Sequence, residues 1–567
     1  MTAPNKSELE SWLFEDGEDT QDGNGISPDE SRRWLLDVFP EESLRLPRAA
    51  DQHPTLNFEN PYLDGIVKRH PTLRKSSYSQ DPEGVNGYIK FRLQAADFDN
   101  DTGPASRRFQ QPTLGKHHRS PLLAPPDSVP KLPLGFGKGL KLDKMDSKLL
   151  TFYTVAFCGG RTLLPKTNFW LNDYAAMAAD NECVKHALLS LAASYVLDYI
   201  PSEVLLERAN RHYTRAVKLL TDALRDPHQQ ASGHDDSLVC SLVLLTIDDL
   251  VNWELRRSKA HKARWQSGAE IAKKILDNSD PGHRYWKNEN VQCSSARTAN
   301  ANWVAFVGIL AQPVAPLKFE DTDRLYAWLL GGTEMHARKI YGGTGLSPKL
   351  LHMFAQITHL CARMDKTPDS RIIPHGAAKV QARLEKLQQW SDLSIGFPSC
   401  TALLNACDLD KDGKVESEIR VTELTGETWR VAAQIYLHCR FYRRPRNHPI
   451  VKERLNALLG CIKRMPYTGP LFTSQAPFFP VVIMALISTE ESERKIAHEW
   501  FTTVVAQGNC RSSVPPVWHA VQYMWGWMDS HSLDDGFVED KPIGQQVGWW
   551  EKMVTQLVEQ TGVISLV

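Results

Sequence analysis

Asp408-x-Asp410-x-Asp412-Gly413, inside the stretch CDLDKDGKVESEIR, has the residue types and spacing that open a calcium-binding loop. Alternate carboxylates there converge on a hard cation, and the glycine allows the sharp turn between them. Such a loop closes on a bidentate glutamate at its twelfth position; here that position is Ile419, with Glu418 one residue early. If the exiting segment is helical, one residue is a rotation of roughly 100°, which turns the Glu418 carboxylate off the ion. Pro398 leaves only about two helical turns ahead of Asp408, a poor entering helix. The expectation is a solvated acidic turn between helices, with no metal bound.

Soft-metal and catalytic patterns fare no better. Cys400-x6-Cys407 reproduces one spacing of a binuclear zinc cluster, but the C-x2-C arms that bridge its two metals occur nowhere among the 10 cysteines. Reduced thiols in helix cores are the expectation, in a reducing compartment. GFGKGL (Gly135, Gly137, Gly139) follows a proline-rich stretch where a dinucleotide turn needs a strand. YGGTGLS lacks the Gly-Lys-Ser/Thr end that cradles phosphate, and AHEWFTT has Thr502 where a zinc-protease helix needs its second histidine. No G-x-S-x-G elbow occurs in the sequence. The chain reads as a binding protein with no catalytic residue, no metal site and no cofactor. The basic stretches RRPRNHP (Arg443, Arg444, Arg446) and SRRFQQPTLGKHHR (Arg107, Arg108, Lys116, Arg119) are short, and each reads as a solvated loop rather than a phosphate site.

The elements around these residues divide the chain in two. Residues 1–145 carry nearly half of the 34 prolines, which resist long helices and central strands, so this segment is expected to be largely disordered. Two acidic-aromatic islands interrupt it, one with Trp12, Leu13 and Phe14, the other with Trp34, Leu35 and Phe39. Acids keep such apolar clusters solvated and available to dock, in a partner's groove or on the chain's own helices. Over 146–567 the apolar residues recur three or four apart, as in Val184, Leu188, Leu191 and Tyr195, and alternating strand patterns are scarce. The expected fold is all-α, a multi-helix domain of antiparallel helices. Asn181 is placed to cap one helix and Pro201 to end it, so NECVKHALLSLAASYVLDYI and SEVLLERANRHYTRAVKLLTDAL should form an antiparallel hairpin. With 42% apolar residues, a net charge of -1 and no apolar run of roughly 18–20 residues, a membrane span and global attraction to nucleic acid are not expected.

KLLTFYTVAFCGGRTLL, NECVKHALLSLAASYVLDYI, ANRHYTRAVKLL, KARWQSGAEIAKKIL, TWRVAAQIYLHCRFY, FFPVVIMALISTEESERKIAHEWF and GWWEKMVTQLV together resemble the fungal-specific transcription factor domain. The resemblance spans roughly residues 148–567 and is nearest to the branch of acriflavine sensitivity control proteins. It implies an all-helical regulatory domain in a nuclear regulator, in some cases of a secondary-metabolism pathway. It also implies partners in the transcription machinery or a DNA-bound regulator, and a homo- or heterodimer. Family members usually carry an N-terminal zinc cluster that reads DNA, yet this sequence has no cysteine before Cys158, so DNA contact maps to no residue here. Three explanations stay open: an upstream segment encodes the cluster, the protein is a coactivator or corepressor joining a DNA-bound relative, or the helical domain has left transcription. The islands favour the first two. Two other readings are a cytosolic helical-repeat scaffold, from the tetratricopeptide-like hairpin, and a ligand-responsive regulator with a Trp-lined pocket.

Overall fold

Helix follows helix from Lys144 to Thr561 in the computed structural model, which describes residues 140–567 apart from 200–201, 226–235, 254–263, 279–292, 323–325, 469–470, 474–475, 508–512 and 532–535. The described residues all belong to the unit Leu44–Val567. They contain no β-strand, only isolated bridges such as Lys339↔Trp390 and Tyr341↔Leu346, so the fold is all-α as the periodicity predicts.

The first half is a helical layer made of α1 (Lys144–Phe152), α2 (Glu182–Tyr199), α3 (Glu203–Arg225), α4 (Asp236–Trp253), α5 (Arg264–Asn278) and α6 (Ser295–Ala311). Asn181 caps α2 through its Oδ1, which accepts from the amides of Cys183 (2.9 Å) and Val184 (3.1 Å). Helices α2 and α3 pack along their lengths in opposite directions: Cys183 meets Ala216, His186 meets His212, and Ser190 meets Ala209. The expected hairpin is therefore present, with Ala209, Tyr213, Ala216, Leu220 and Leu224 buried on its inner face. Helix α4 lies against α2 and α5, and α6 lies against both α4 and α5.

The second half comprises α7 (Pro348–Lys366), α8 (Ile372–Lys386), α9 (Glu418–Tyr436), α10 (Pro449–Arg464), α11 (Phe478–Ile487), α12 (Glu491–Gln507), α13 (Val514–Ser530) and α14 (Trp549–Thr561). Helix α9 is its axis, buried along nearly its whole length and touching α7, α10 and α11. It runs on into a π turn, Leu437–Phe441, whose wider ring aims Arg440 inward.

The segment FFPVVIMALISTEESERKIAHEWFTTVVAQ forms two helices, α11 and α12. Ser488 adopts an extended backbone, and Glu493 Oε2 accepts from the amides of Thr489 (2.9 Å) and Glu490 (3.1 Å), starting a new helix. Helix α6 carries no clear polar face, because its asparagines are buried. Asn300 accepts from Tyr174 Oη at 2.8 Å and donates to Asp236 O at 2.9 Å.

Candidate functional site

The turn Tyr341-Gly-Gly-Thr-Gly-Leu-Ser347 is one place where the two halves touch. Tyr341 N donates to Leu346 O (3.0 Å), and Gly342 O accepts from Leu163 N (2.9 Å). A Cβ on Gly343 would lie 2.5 Å from the Phe169 ring, and Gly345, at φ +79°, sits with α9 so close that its Cβ would meet Thr425 at 2.7 Å. Gln389 ties the turn to α9, accepting from Ser347 N (2.8 Å) and donating to Gly426 O (2.6 Å). The glycines thus serve backbone approach between helices.

Buried polar groups brace the first layer. Asp248, in the middle of α4, accepts from Ser190 Oγ (2.7 Å), Ser194 Oγ (2.9 Å) and Asn252 Nδ2 (2.9 Å). Its neighbour Asp249 accepts from Tyr213 Oη at 2.7 Å. A second row runs Asp146, His212, His186: His212 Nε2 donates to Asp146 Oδ1 at 2.9 Å, which leaves His212 Nδ1 to accept from His186 Nδ1 at 2.8 Å. The row ends beside Glu182, 3.5 Å from His186 Nε2. Its role is to lock α1, α2 and α3 together.

Burial and then His212 hold His186 at about 4; burial holds His359 at about 4, and burial followed by Arg444 and Arg454 holds His438 at about 3. Unfolding releases each toward an ordinary value near 6.5. The unfolded chain then binds more protons in acid, so this stability is full above about pH 6.5 and is lost as pH falls toward 4. At pH 5, His359 and His438 are each expected to have lost roughly 2 kcal/mol, and His186, whose ring edge reaches solvent beside Glu182, less. Denaturant midpoints at pH 7.5 and pH 5 check this; equal midpoints would refute it.

The basic stretch Arg443-Arg444-Pro445-Arg446 departs from the expected solvated loop. Arg443, in a left-handed backbone (φ +56°), donates to Gln546 O (2.7 Å) and pairs with Asp365 (2.5 Å). Arg444 donates to His438 Nδ1 at 2.8 Å, while Arg446 is only 5% exposed. These guanidiniums face the chain itself because the π turn rotates the segment over α14, where Arg444 O accepts from Trp549 Nε1 at 2.8 Å.

The acidic turn lies between the short helix Cys400–Asn405 and α9. Asp410 Oδ1 accepts from the amides of Asp412 and Lys414, both at 2.8 Å, so this carboxylate closes its own loop. Asp408, Asp412 and Glu418 face solvent, and Glu418 opens α9 as its first residue. The expected docking residues Trp12, Leu13, Phe14, Trp34, Leu35 and Phe39 lie outside the described residues, as does SRRFQQPTLGKHHR.

A family model for the fungal specific transcription factor domain matches residues 148–560, from within α1 to within α14. The chain belongs to that family. The helical body, glycine turn and polar braces described above are therefore parts of a fungal transcription factor domain, and the chain's work is transcription regulation. No curated protein and no solved structure matches the chain. No described helix of this fungal transcription factor domain is long and apolar enough to cross a membrane. The Asp248–Asp249 pair was visible in sequence as two acids in an apolar run, whereas His186, His212 and Arg440 carried no comparable signal.

Proposed function

We propose that the chain is a nuclear transcription regulator working through protein contacts, with the helical domain over 146–567 as its regulatory body. The observation that carries this reading is the family match over residues 148–560. The islands around Trp12, Leu13 and Phe14 and around Trp34, Leu35 and Phe39 act as docking groups for the transcription machinery; their composition, aromatic residues among acids, supports that role. In this reading the chain joins a DNA-bound regulator, as a coactivator or a heterodimer partner. The resemblance to the acriflavine sensitivity control branch supports a pathway-specific regulator, with secondary metabolism as the process controlled.

Fusing residues 1–50 to a heterologous DNA-binding domain tests the docking role. Reporter output is expected to rise several-fold and to drop when Trp12 and Trp34 are both changed to alanine. Output at background for the unaltered fusion would count against it.

A further inference from the structure

Cys400 and Cys461 are 61 positions apart in the sequence, yet their sulfurs lie 3.6 Å from each other. Two features of the local structure make the pair. Ser399 caps the short helix Cys400–Asn405, its Oγ accepting from Ala402 N at 3.2 Å, and so sets Cys400 at the helix's first position. Gly460, next to Cys461 in α10, lets this helix approach: a Cβ there would stand 3.0 Å from Leu404 Cδ1. The two thiols differ in access, since Cys461 is fully buried while Cys400 is half-buried. Arg430 lies near both, held by Glu427 (2.9 and 2.5 Å) and donating to Leu384 O (3.0 Å), so an arginine–glutamate ion pair borders the two thiols. Cys407, the partner that sequence spacing suggests for Cys400, instead donates to Leu403 O at 3.2 Å.

We propose that Cys400 and Cys461 form a redox-active dithiol, a modification site that hydrogen peroxide converts to an intramolecular disulfide. The half-buried Cys400 thiolate attacks one peroxide oxygen, the O–O bond breaks, and hydroxide leaves and takes up a proton to become water. Cys400 is then a sulfenic acid. The Cys461 thiol attacks its sulfur; the S–S bond forms, the S–O bond breaks, and a second water carries off the hydroxyl with the Cys461 proton. Two thiols are oxidised and one peroxide is reduced. The hydrogen bond to Cys400, and then burial, keep Cys461 protonated in the resting state, which assigns the first attack to Cys400. Closing to a bond of about 2.05 Å asks the sulfurs to approach by roughly 1.5 Å, a shift the short surface helix can absorb. The product ties that helix, and the acidic turn after it, to α10.

The test treats the full reduced chain with hydrogen peroxide, blocks remaining thiols with N-ethylmaleimide and maps the peptides by mass. The expected result is a Cys400–Cys461 cross-linked peptide, two alkylatable thiols lost per peroxide consumed, and reversal by dithiothreitol. With Cys461→Ala, dimedone labelling of Cys400 should rise several-fold because its resolving thiol is gone; with Cys400→Ser, Cys461 should stay reduced. Circular dichroism checks that both variants fold, and the wild-type mapping stands without them. A wild-type chain whose Cys400 passes to sulfinic acid without the cross-link, pairs with Cys407, or stays reduced while Cys293 oxidises would overturn the proposal.

Discussion

Replacing Arg440 with alanine is expected to destabilise the helical domain by about 3 kcal/mol, the low end of the cost of breaking a buried ion pair, because the Glu551 carboxylate left behind is 31% exposed. The side chain is 0% exposed, and every nitrogen is engaged. Nε and Nη2 grip Glu551 at 2.7 and 3.1 Å; Nη1 donates to Gln312 O (2.8 Å) and Tyr436 Oη (2.9 Å); Nη2 also donates to Ala315 O (3.0 Å). One guanidinium thus joins the π turn after α9, the segment following α6, and α14. Alanine would leave the Glu551 carboxylate and Ala315 O without this donor, while Gln312 O keeps the Ala315 amide, and α14 would lose one of its polar anchors. Arg440→Lys keeps the charge without the fork and should recover only part of the loss. Denaturant titration measures both, and in a cycle with Glu551→Gln the two losses should fall short of adding. An unchanged midpoint for Arg440→Ala would show that the brace is not structural.

Trp429→Ala is the second large effect, expected at about 3–5 kcal/mol, the range for deleting a buried tryptophan side chain. Trp429 is 0% exposed, stacks on Phe479 with ring centroids 5.5 Å apart, and takes the edges of Phe306 (5.7 Å) and Phe354 (6.0 Å). Its Nε1 donates to Ala476 O at 2.6 Å, so shape and polarity are both used. Trp429→Phe should keep most of the packing while leaving that carbonyl unsatisfied, for a loss of about 1–3 kcal/mol. Thermal and denaturant unfolding of the two variants separate the terms; no loss in Trp429→Phe would mean that the indole hydrogen bond contributes nothing, and equal losses in both variants that the ring packing contributes nothing. Because Phe354 also packs on Tyr436, a partner of Arg440, the Trp429 and Arg440 losses should be coupled.

The repeat of apolar residues made the fold legible: most helices, the Asn181 cap and the α2–α3 hairpin could be read from spacing alone. What spacing hid was polar burial. Asn300 and Asn302 put polar residue types into α6, yet both are buried and hydrogen-bonded within the layer. Arg443, Arg444 and Arg446 looked solvated for the same reason: a run of arginines does not reveal the carbonyls of Gly544 and Gln546 on the approach to α14, nor Asp365 at the end of α7, 78 positions away. Contacts such as Cys400 with Cys461, or Arg440 with Glu551, join residues that only the tertiary fold brings together. The acidic turn was the opposite case, since the displaced Glu418 and the Asp410 carboxylate that closes its own loop are both local facts.

Regulation through protein contacts is tested most directly by tethering the full chain to a reporter promoter through a heterologous DNA-binding domain and measuring transcript output. The expected result is a several-fold change in output that disappears when Trp12 and Trp34 are both changed to alanine. A folded, promoter-bound, unaltered chain that leaves output unchanged would contradict the account.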